Sequence, residues 1–292
     1  MLQVDSFLRA ESEGTFEPAY GYALFLHRGL AYSEFASRRF ADLLEDFPVS
    51  EDDVFLVGFP KSGTNWLDVV VAHLYDHWQS TRISRNGIVP EISIPNLPDV
   101  GLDGLETCLA SATPRLMKSH QPATHLPRAF REGKGRAICI VRNPKDVCDS
   151  FFNQLSGKLT FDWPLFVDAF AAGKVPFGPW LDNVLSWYDP ALDGRVLRLT
   201  YEGMRRDPRG AVDQITAFLG PVDQARIDQV LRDTDFQAMQ TNQLADQYQP
   251  IMKRRQGGIG GWKDKFTVAA SDLFDEIFDK PLRERGIVLS YE

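Results

Sequence analysis

Four separated groups of residues in this 292-residue chain have the types and spacing to grip an anion and act on it. The first is Gly58-Phe-Pro-Lys-Ser-Gly-Thr-Asn-Trp66. It offers the charge of Lys61, the hydroxyls of Ser62 and Thr64, the amide of Asn65, and glycines at 58 and 63 that let backbone N–H groups close on a ligand. The second is Lys118-Ser-His120, a cation two positions from the side chain that most readily exchanges a proton near neutral pH. The third is Arg142-Asn-Pro-Lys-Asp146 with Ser150, and the fourth is the basic stretch Lys253 to Lys263, where four glycines stand among Lys253, Arg254 and Arg255.

The first loop departs from the nucleotide-binding pattern G-x-x-x-x-G-K-[ST]. Gly58 and Gly63 keep its spacing, but Thr64-Asn65 replaces Lys-Ser/Thr, and the lysine has moved inside the loop to Lys61. The hydroxyl that would hold magnesium behind the lysine is missing. The loop therefore suits a phosphate-bearing ligand without metal-assisted transfer of a γ-phosphoryl group. Each group also has a plainer reading. The loop could be a simple turn with a surface lysine, His120 a structural histidine, Arg142 the partner of a carboxylate such as Asp146, and residues 253–263 a solvated basic loop.

The elements that must position these groups are visible in the hydrophobic pattern. Val54–Val57 reads as a buried strand, followed by a helix from Leu67 with Leu67, Val70, Val71, Leu74 and Trp78 on one face. Arg115–Pro122 reads as a short strand ending at Lys118 and His120. Ala137–Val141 is another, with a helix from Val147 that carries Ser150. Gly194–Leu199 is a further strand, closed by Thr200–Met204, and Asp207-Pro208 is an N-cap and first-turn pair opening a helix through Phe218. Residues 225–231 are helical, and residues 161–190 read as helices broken at Pro176–Pro179. Strands alternating with helices predict an α/β single domain, a central parallel β-sheet flanked by helices in a P-loop-like nucleotide-binding fold. Ligands gather at the carboxyl ends of such strands, where all three strand-borne groups fall.

Residues 1–50, aromatic and mixed in charge, read as an N-terminal arm packing on the pocket, with an amphipathic helix at Arg38–Phe47 turning Phe40, Leu43 and Leu44 inward. Residues 51–292 form the main domain. Within it, Arg82–Leu109 is loop-like, and the apolar Pro90–Pro98 stretch suits either a substrate lid or a loop packed on the core.

Composition narrows the partners. Net charge is −8, so a nucleic-acid or acidic membrane surface is not expected, and an anion must be held by local basic clusters: Lys61, Arg142 with Lys145, and Lys253–Arg255. The 3 cysteines show no C-x-x-C, which suggests neither a zinc site nor a disulfide framework and predicts a reducing, cytoplasmic setting. Cys139 reads as a core residue. No run reaches the ~18 apolar residues of a membrane span, and no leader pattern opens the chain.

Together these residues resemble the cytosolic sulfotransferases, which move a sulfuryl group from 3′-phosphoadenosine 5′-phosphosulfate (PAPS) to a small acceptor and release the bisphosphate PAP. Phe59–Trp66 is similar to their 5′-phosphosulfate loop, Ile140–Val147 with Ser150 to their 3′-phosphate motif, and Arg255–Thr267 to their C-terminal nucleotide loop. Lys118-Ser-His120 stands where the family carries its catalytic histidine, and Thr200-Tyr-Glu202 and Thr234-Asp-Phe236 also match. The resemblance runs in family order from residue 54 to about residue 272, so residues 51–292 would be a sulfotransferase domain. It implies that Lys61, Ser62, Gly63, Thr64 and Asn65 hold the 5′-phosphosulfate, and that Arg142, Ser150, Arg255 and Gly257 hold the 3′-phosphate. Trp66 and Phe236 would sandwich the adenine, with Tyr201 and Thr234 in contact with it. Lys118 would steady the reacting centre and His120 would be the base, with no metal. Gln256 replaces the family's usual lysine, Gly261 the aspartate of its Gly-Asp-Trp-Lys, and Asn65 a threonine. Lys263–Asp272 is similar to a short dimerisation segment, which implies a homodimer.

A sulfuryl group in transfer carries less charge than a phosphoryl group, so lysine, amides and hydroxyls can neutralise it without a divalent ion. The acceptor is expected to be a small molecule, apolar or aromatic, with a hydroxyl or amine: phenols, alcohols, steroids and amines fit. Sulfation followed by elimination stays open. The competing readings are a P-loop small-molecule kinase using ATP and magnesium, and a non-catalytic nucleotide-binding protein of the same fold.

Overall fold

The computed structural model describes residues 15–16, 24–33, 38–75, 108–155, 162–235, 238 and 258–292. Trp78, the Pro90–Pro98 stretch, Phe236 and the basic residues 253–257, which include Arg255, Gln256 and Gly257, lie outside the described residues.

Four strands form one parallel sheet. They are β4 (Val54–Val57), β5 (Leu116–Ser119), β6 (Arg136–Val141) and β7 (Val196–Thr200), in the order β5-β4-β6-β7. Val57 sits level with Ser119 on one side and Cys139 on the other, and Val141 with Thr200. The inner strands β4 and β6 read as unbroken apolar runs because both their faces are covered. Alternate residues point to opposite cores: Phe55, Val57, Met117, Cys139 and Val141 to one, Val54, Leu56, Leu116, Ile138 and Ile140 to the other. From β4 the chain goes first to β5 on one side and then to β6 on the other. The carboxyl end of β4 is thus the point where connections diverge and a crevice opens.

The helices, in chain order, are α1 (Arg38–Glu45), α2 (Thr64–Leu74), α3 (Arg128–Arg131), α4 (Pro144–Leu155), α5 (Trp163–Ala171), α6 (Trp180–Ser186), α7 (Tyr201–Arg206), α8 (Pro208–Leu219), α9 (Gln224–Asp233), α10 (Val268–Phe274) and α11 (Lys280–Arg283). The strand–helix alternation is the one expected. Two helices begin three residues earlier than the hydrophobic pattern suggests, α2 at Thr64 and α4 at Pro144, because their first turns are built of polar residues and proline that carry no apolar periodicity. Nor does α2 bury a single face. Trp66, Leu67, Val69, Val70, Val71, Ala72 and Leu74 are all buried, since the helix lies between the sheet and α9. Asp207 caps α8 as expected, its Oδ1 accepting from Gly210 N at 2.8 Å. Among the described residues no helix is long and apolar enough to cross a membrane.

A second sheet was not anticipated from the sequence. Strands β1 (Thr15–Phe16), β2 (Leu24–His27) and β3 (Leu30–Ser33) pair antiparallel. Arg28-Gly29 closes the β2–β3 hairpin with φ of 53° and 81°, the paired left-handed residues that match the twist of the strands. Helix α1 corrects a second expectation. Ala41 and Leu44, three apart, share its buried face, whereas Leu43 is 51% exposed. The side chain of Phe40 lies outside those described.

The opposite end of the sheet is pinned by a buried ion pair. Asp53 Oδ1 accepts from the backbone N of Arg115 at 2.8 Å, and Asp53 Oδ2 meets the guanidinium. Arg115 Nη1 also donates to the Cys108 carbonyl at 3.2 Å. Asp53 precedes β4 and Arg115 precedes β5, so the pair sets the relative register of the two strands whose far ends carry Lys61 and His120.

Candidate active site

The loop after β4 is shaped by close approaches that only glycine allows. A Cβ on Gly58 would lie 2.4 Å from the Ile140 carbonyl oxygen. Lys61 and Gly63 both have left-handed backbone, φ 75° and 101°. For a lysine this is an uncommon conformation, held here by the surrounding loop. Ser62 N donates to Phe59 O at 3.1 Å, and the Ser62 side chain is buried with no partner for its Oγ. Thr64 and Asn65 open the eleven-residue helix α2, so its positive end faces the same loop.

Lys118 and His120 arrive beside this loop because β5 neighbours β4. Lys118 Nζ donates to Asn65 Oδ1 at 3.1 Å. His120 Nδ1 lies 2.8 Å from the Gly58 carbonyl. A carbonyl only accepts, so Nδ1 must carry the proton, and in the neutral ring Nε2 holds the lone pair. The ring packs edge-on to Phe177 at 5.5 Å, and the His120 carbonyl accepts from Asn183 Nδ2 at 3.0 Å.

Arg142 leaves the end of β6. Its guanidinium stacks 4.4 Å from the centre of the Tyr201 ring, and its Nη1 and Nη2 donate to Lys61 O (3.3 Å) and Gly258 O (2.9 Å). One buried cation thus touches the β4 loop, the start of α7 and the C-terminal loop. Its Nε is buried with no hydrogen-bond partner. Ser150, two turns into α4, is also buried. Lys145, grouped with Arg142 on sequence, is turned away. Its Nζ meets Ser271 Oγ and Asp275 Oδ1, both at 2.7 Å, and lies 4.5 Å from the Trp262 ring centre. It belongs to the packing of α10 rather than to the cationic cradle.

Beyond the loop, Trp66 is fixed by an indole N–H bond to Thr234 O at 2.9 Å and meets Tyr201 edge-on at 5.9 Å. Trp66, Val70, Met204, Arg205, Leu231 and Thr234 line a cleft here. The Thr234 hydroxyl donates to Val230 O at 2.8 Å, and the residue's carbonyl is the partner of Trp66. Burial raises the Tyr201 phenol above its ordinary value and keeps it neutral. Burial also raises the Glu202 carboxyl, whose Oε1 accepts from Asn143 N (3.0 Å) and Nδ2 (2.9 Å).

The structure therefore brings Lys61, Ser62, Gly63, Thr64, Asn65, Trp66, Lys118, His120, Arg142, Tyr201 and Thr234 to one end of the sheet, while Ser150 is buried two turns down α4. Phe236, Arg255, Gln256 and Gly257 are outside the described residues. Sequence reasoning placed Asn143, Asp146 and Gly258 inside site motifs but gave Asn143 and Gly258 no role and weighed Asp146 as a counter-ion to Arg142, and it missed Arg205. Arg205 follows the Thr200–Glu202 stretch by one helical turn, the one signal that could have marked it. Buried, unpartnered donors such as Ser62 Oγ and Arg142 Nε, in a cradle of three cations and a helix N-terminus, fit a ligand rich in anionic oxygen.

Comparisons with known proteins identify the family. The family model described as "Sulfotransferase domain" matches residues 51–286. Sulfotransferase 1E1 of Cavia porcellus is 31% identical over 282 residues, covering 90% of this chain and 93% of that protein. Sulfotransferase 1A1 of Mus musculus is 33% identical over 261 residues, covering 81% and 87%. The crystal structure of mouse sulfotransferase SULT7A1 complexed with PAP superposes with a TM-score of 0.77 at 29% identity, covering 90% of this chain and 95% of that one. A retinol dehydratase structure, at 19% identity and a TM-score of 0.75, shares the fold. The chain belongs to the sulfotransferase family.

Proposed function

We propose that this member of the sulfotransferase family uses His120 as the base and Lys61 as the principal electrostatic catalyst in moving the sulfuryl group of PAPS to a small acceptor. PAPS-dependent sulfotransfer itself follows from family membership. The observation that carries the residue assignment is the His120 Nδ1 bond to Gly58 O. It ties the imidazole to the same loop that presents Lys61 and leaves Nε2 as the basic atom.

The remaining roles are those the family resemblance implies for the matching positions. Lys61, Ser62, Gly63, Thr64 and Asn65, at the N-terminus of α2, would hold the 5′-phosphosulfate. Lys61 would stabilise charge on the bridging oxygen as the S–O bond opens, and Lys118, held by Asn65, would neutralise charge at the reacting centre. Arg142, Ser150, Arg255, Gln256 and Gly257 would receive the 3′-phosphate. Trp66, Tyr201, Thr234 and Phe236 would form the adenine site. With a lysine inside the loop and Thr64-Asn65 where a magnesium-binding hydroxyl would follow, we read the transfer as metal-independent. His120 Nε2 would take the acceptor's hydroxyl or amine proton, and Phe177 beside it favours an apolar or aromatic acceptor. Residues 1–50 would act as an arm on this pocket. In the segment Lys263–Asp272, Val268 is 78% exposed, which suits contact with a second copy of the chain.

His120→Ala tests the assignment. Turnover should fall roughly 10²–10⁴-fold, the usual contribution of a general base, while calorimetry shows PAP binding retained. Near-normal turnover would remove His120 from the mechanism.

A further inference from the structure

Asp146 stands at i+4 from Arg142, where an ion pair is the simple expectation. Its carboxylate lies 3.8 Å from Arg142 Nη2, beyond hydrogen-bond length, and is engaged elsewhere. Oδ2 accepts from Gly260 N and from Asn143 Nδ2, both at 2.9 Å, and Oδ1 accepts from Trp262 N at 3.2 Å. Asp146 N in turn donates to Asn143 Oδ1 at 2.8 Å. The residue is 2% exposed.

We propose that Asp146 is a positioning residue for the 3′-phosphate end of the nucleotide. It staples residues 258–262 to the start of α4, and through Gly258 it sets the direction in which Arg142 points. This rests on the reading of Arg142 as a 3′-phosphate ligand. Gly260, left-handed at φ 81°, bends the C-terminal loop so that two of its N–H groups converge on one carboxylate. Two residues earlier, the Gly258 carbonyl accepts from Arg142 Nη2. Asn143 extends the link to Glu202, next to the Tyr201 ring on which the guanidinium lies. The staple has a second consequence. Three N–H donors from Gly260, Trp262 and Asn143 occupy the Asp146 oxygens, so Asp146 meets Arg142 as an ion pair at 3.8 Å without a direct hydrogen bond, and the guanidinium N–H groups are not spent on it.

Calorimetry with PAP and with adenosine 5′-monophosphate separates this role from a general structural one. The wild-type chain should prefer PAP by about tenfold or more, as charge-assisted bonds to a phosphate supply. Asp146→Ala should lower PAP affinity by about tenfold and that of the monophosphate by less than about threefold, so that the preference collapses. Asp146→Asn, which keeps one acceptor oxygen, should fall between and carries the test if the alanine variant does not fold. Equal losses for the two nucleotides, or an unchanged preference, would overturn the positioning role. A wild-type chain with no preference for PAP would instead overturn the reading of Arg142.

Discussion

Gly63→Ala places one methyl group where the loop, α7 and Arg142 meet. Gly63 has φ 101° and ψ 15°. A side chain in that left-handed region costs about 1–2 kcal/mol. The added Cβ would also lie 2.6 Å from Tyr201 Cδ2 and 3.3 Å from Ile140 Cδ1. Tyr201 is held between Arg142 and Trp66, so its ring cannot swing aside without moving both, and overpacking of this kind costs about 1–3 kcal/mol more. The sum is about 2–5 kcal/mol of stability, read by urea denaturation. Gly29→Ala is the control, because Gly29 is also left-handed, at φ 81°, but a Cβ there meets nothing within 4 Å. It should show the backbone cost alone. Because the displaced ring supports Arg142, Gly63→Ala should also weaken PAP binding by about tenfold or more. If Gly63→Ala costs no more than Gly29→Ala, or destabilises the chain with PAP affinity intact, the close packing of loop, tyrosine and arginine is not what shapes the site.

Two further perturbations test the scaffold, and one tests the chemistry. Arg115→Met strands the buried Asp53 carboxylate and should cost about 3–5 kcal/mol in urea unfolding; a loss below about 1 kcal/mol would mean that the pair does not anchor β4 and β5. His125 donates through Nε2 to Arg28 O at 3.0 Å, and burial lowers its pKa below the ordinary 6.5. A depressed histidine pKa means that the unfolded chain binds the proton first, so this contribution to stability is full above about pH 6.5 and is lost as pH falls below it. His125→Gln should therefore flatten the loss of stability as pH falls below about 6.5, and an unchanged slope would refute it. Lys61→Ala should lower kcat far more than PAP affinity, and a pure affinity loss would leave Lys61 a binding residue only.

The fold was legible where burial on both faces forced continuous apolar runs, as in Val54–Val57 and Ala137–Val141. The site was legible where glycine, lysine and hydroxyl residues coincide at a strand end. The β1–β3 sheet escaped because strands of two to four residues leave too short an alternation to read, although Arg28-Gly29 was a usable turn signal. Leu43 was misplaced because a hydrophobic residue on a short helix can face solvent at little cost. Lys145 and Asp146 show the main limit. Both lie in a motif whose spacing says that they are near the site, but whether each points to the ligand or to α10 and the C-terminal loop depends on contacts more than 110 residues away in sequence.

The most direct measurement is single-turnover transfer of labelled sulfuryl from PAPS to a simple phenol, with a chelator present. One PAP should appear for each sulfated acceptor, at a rate unaffected by removal of divalent ions and lowered roughly 10²–10⁴-fold in His120→Ala. Phosphorylated acceptor formed from ATP only when magnesium is added, with PAPS left intact, would contradict the account.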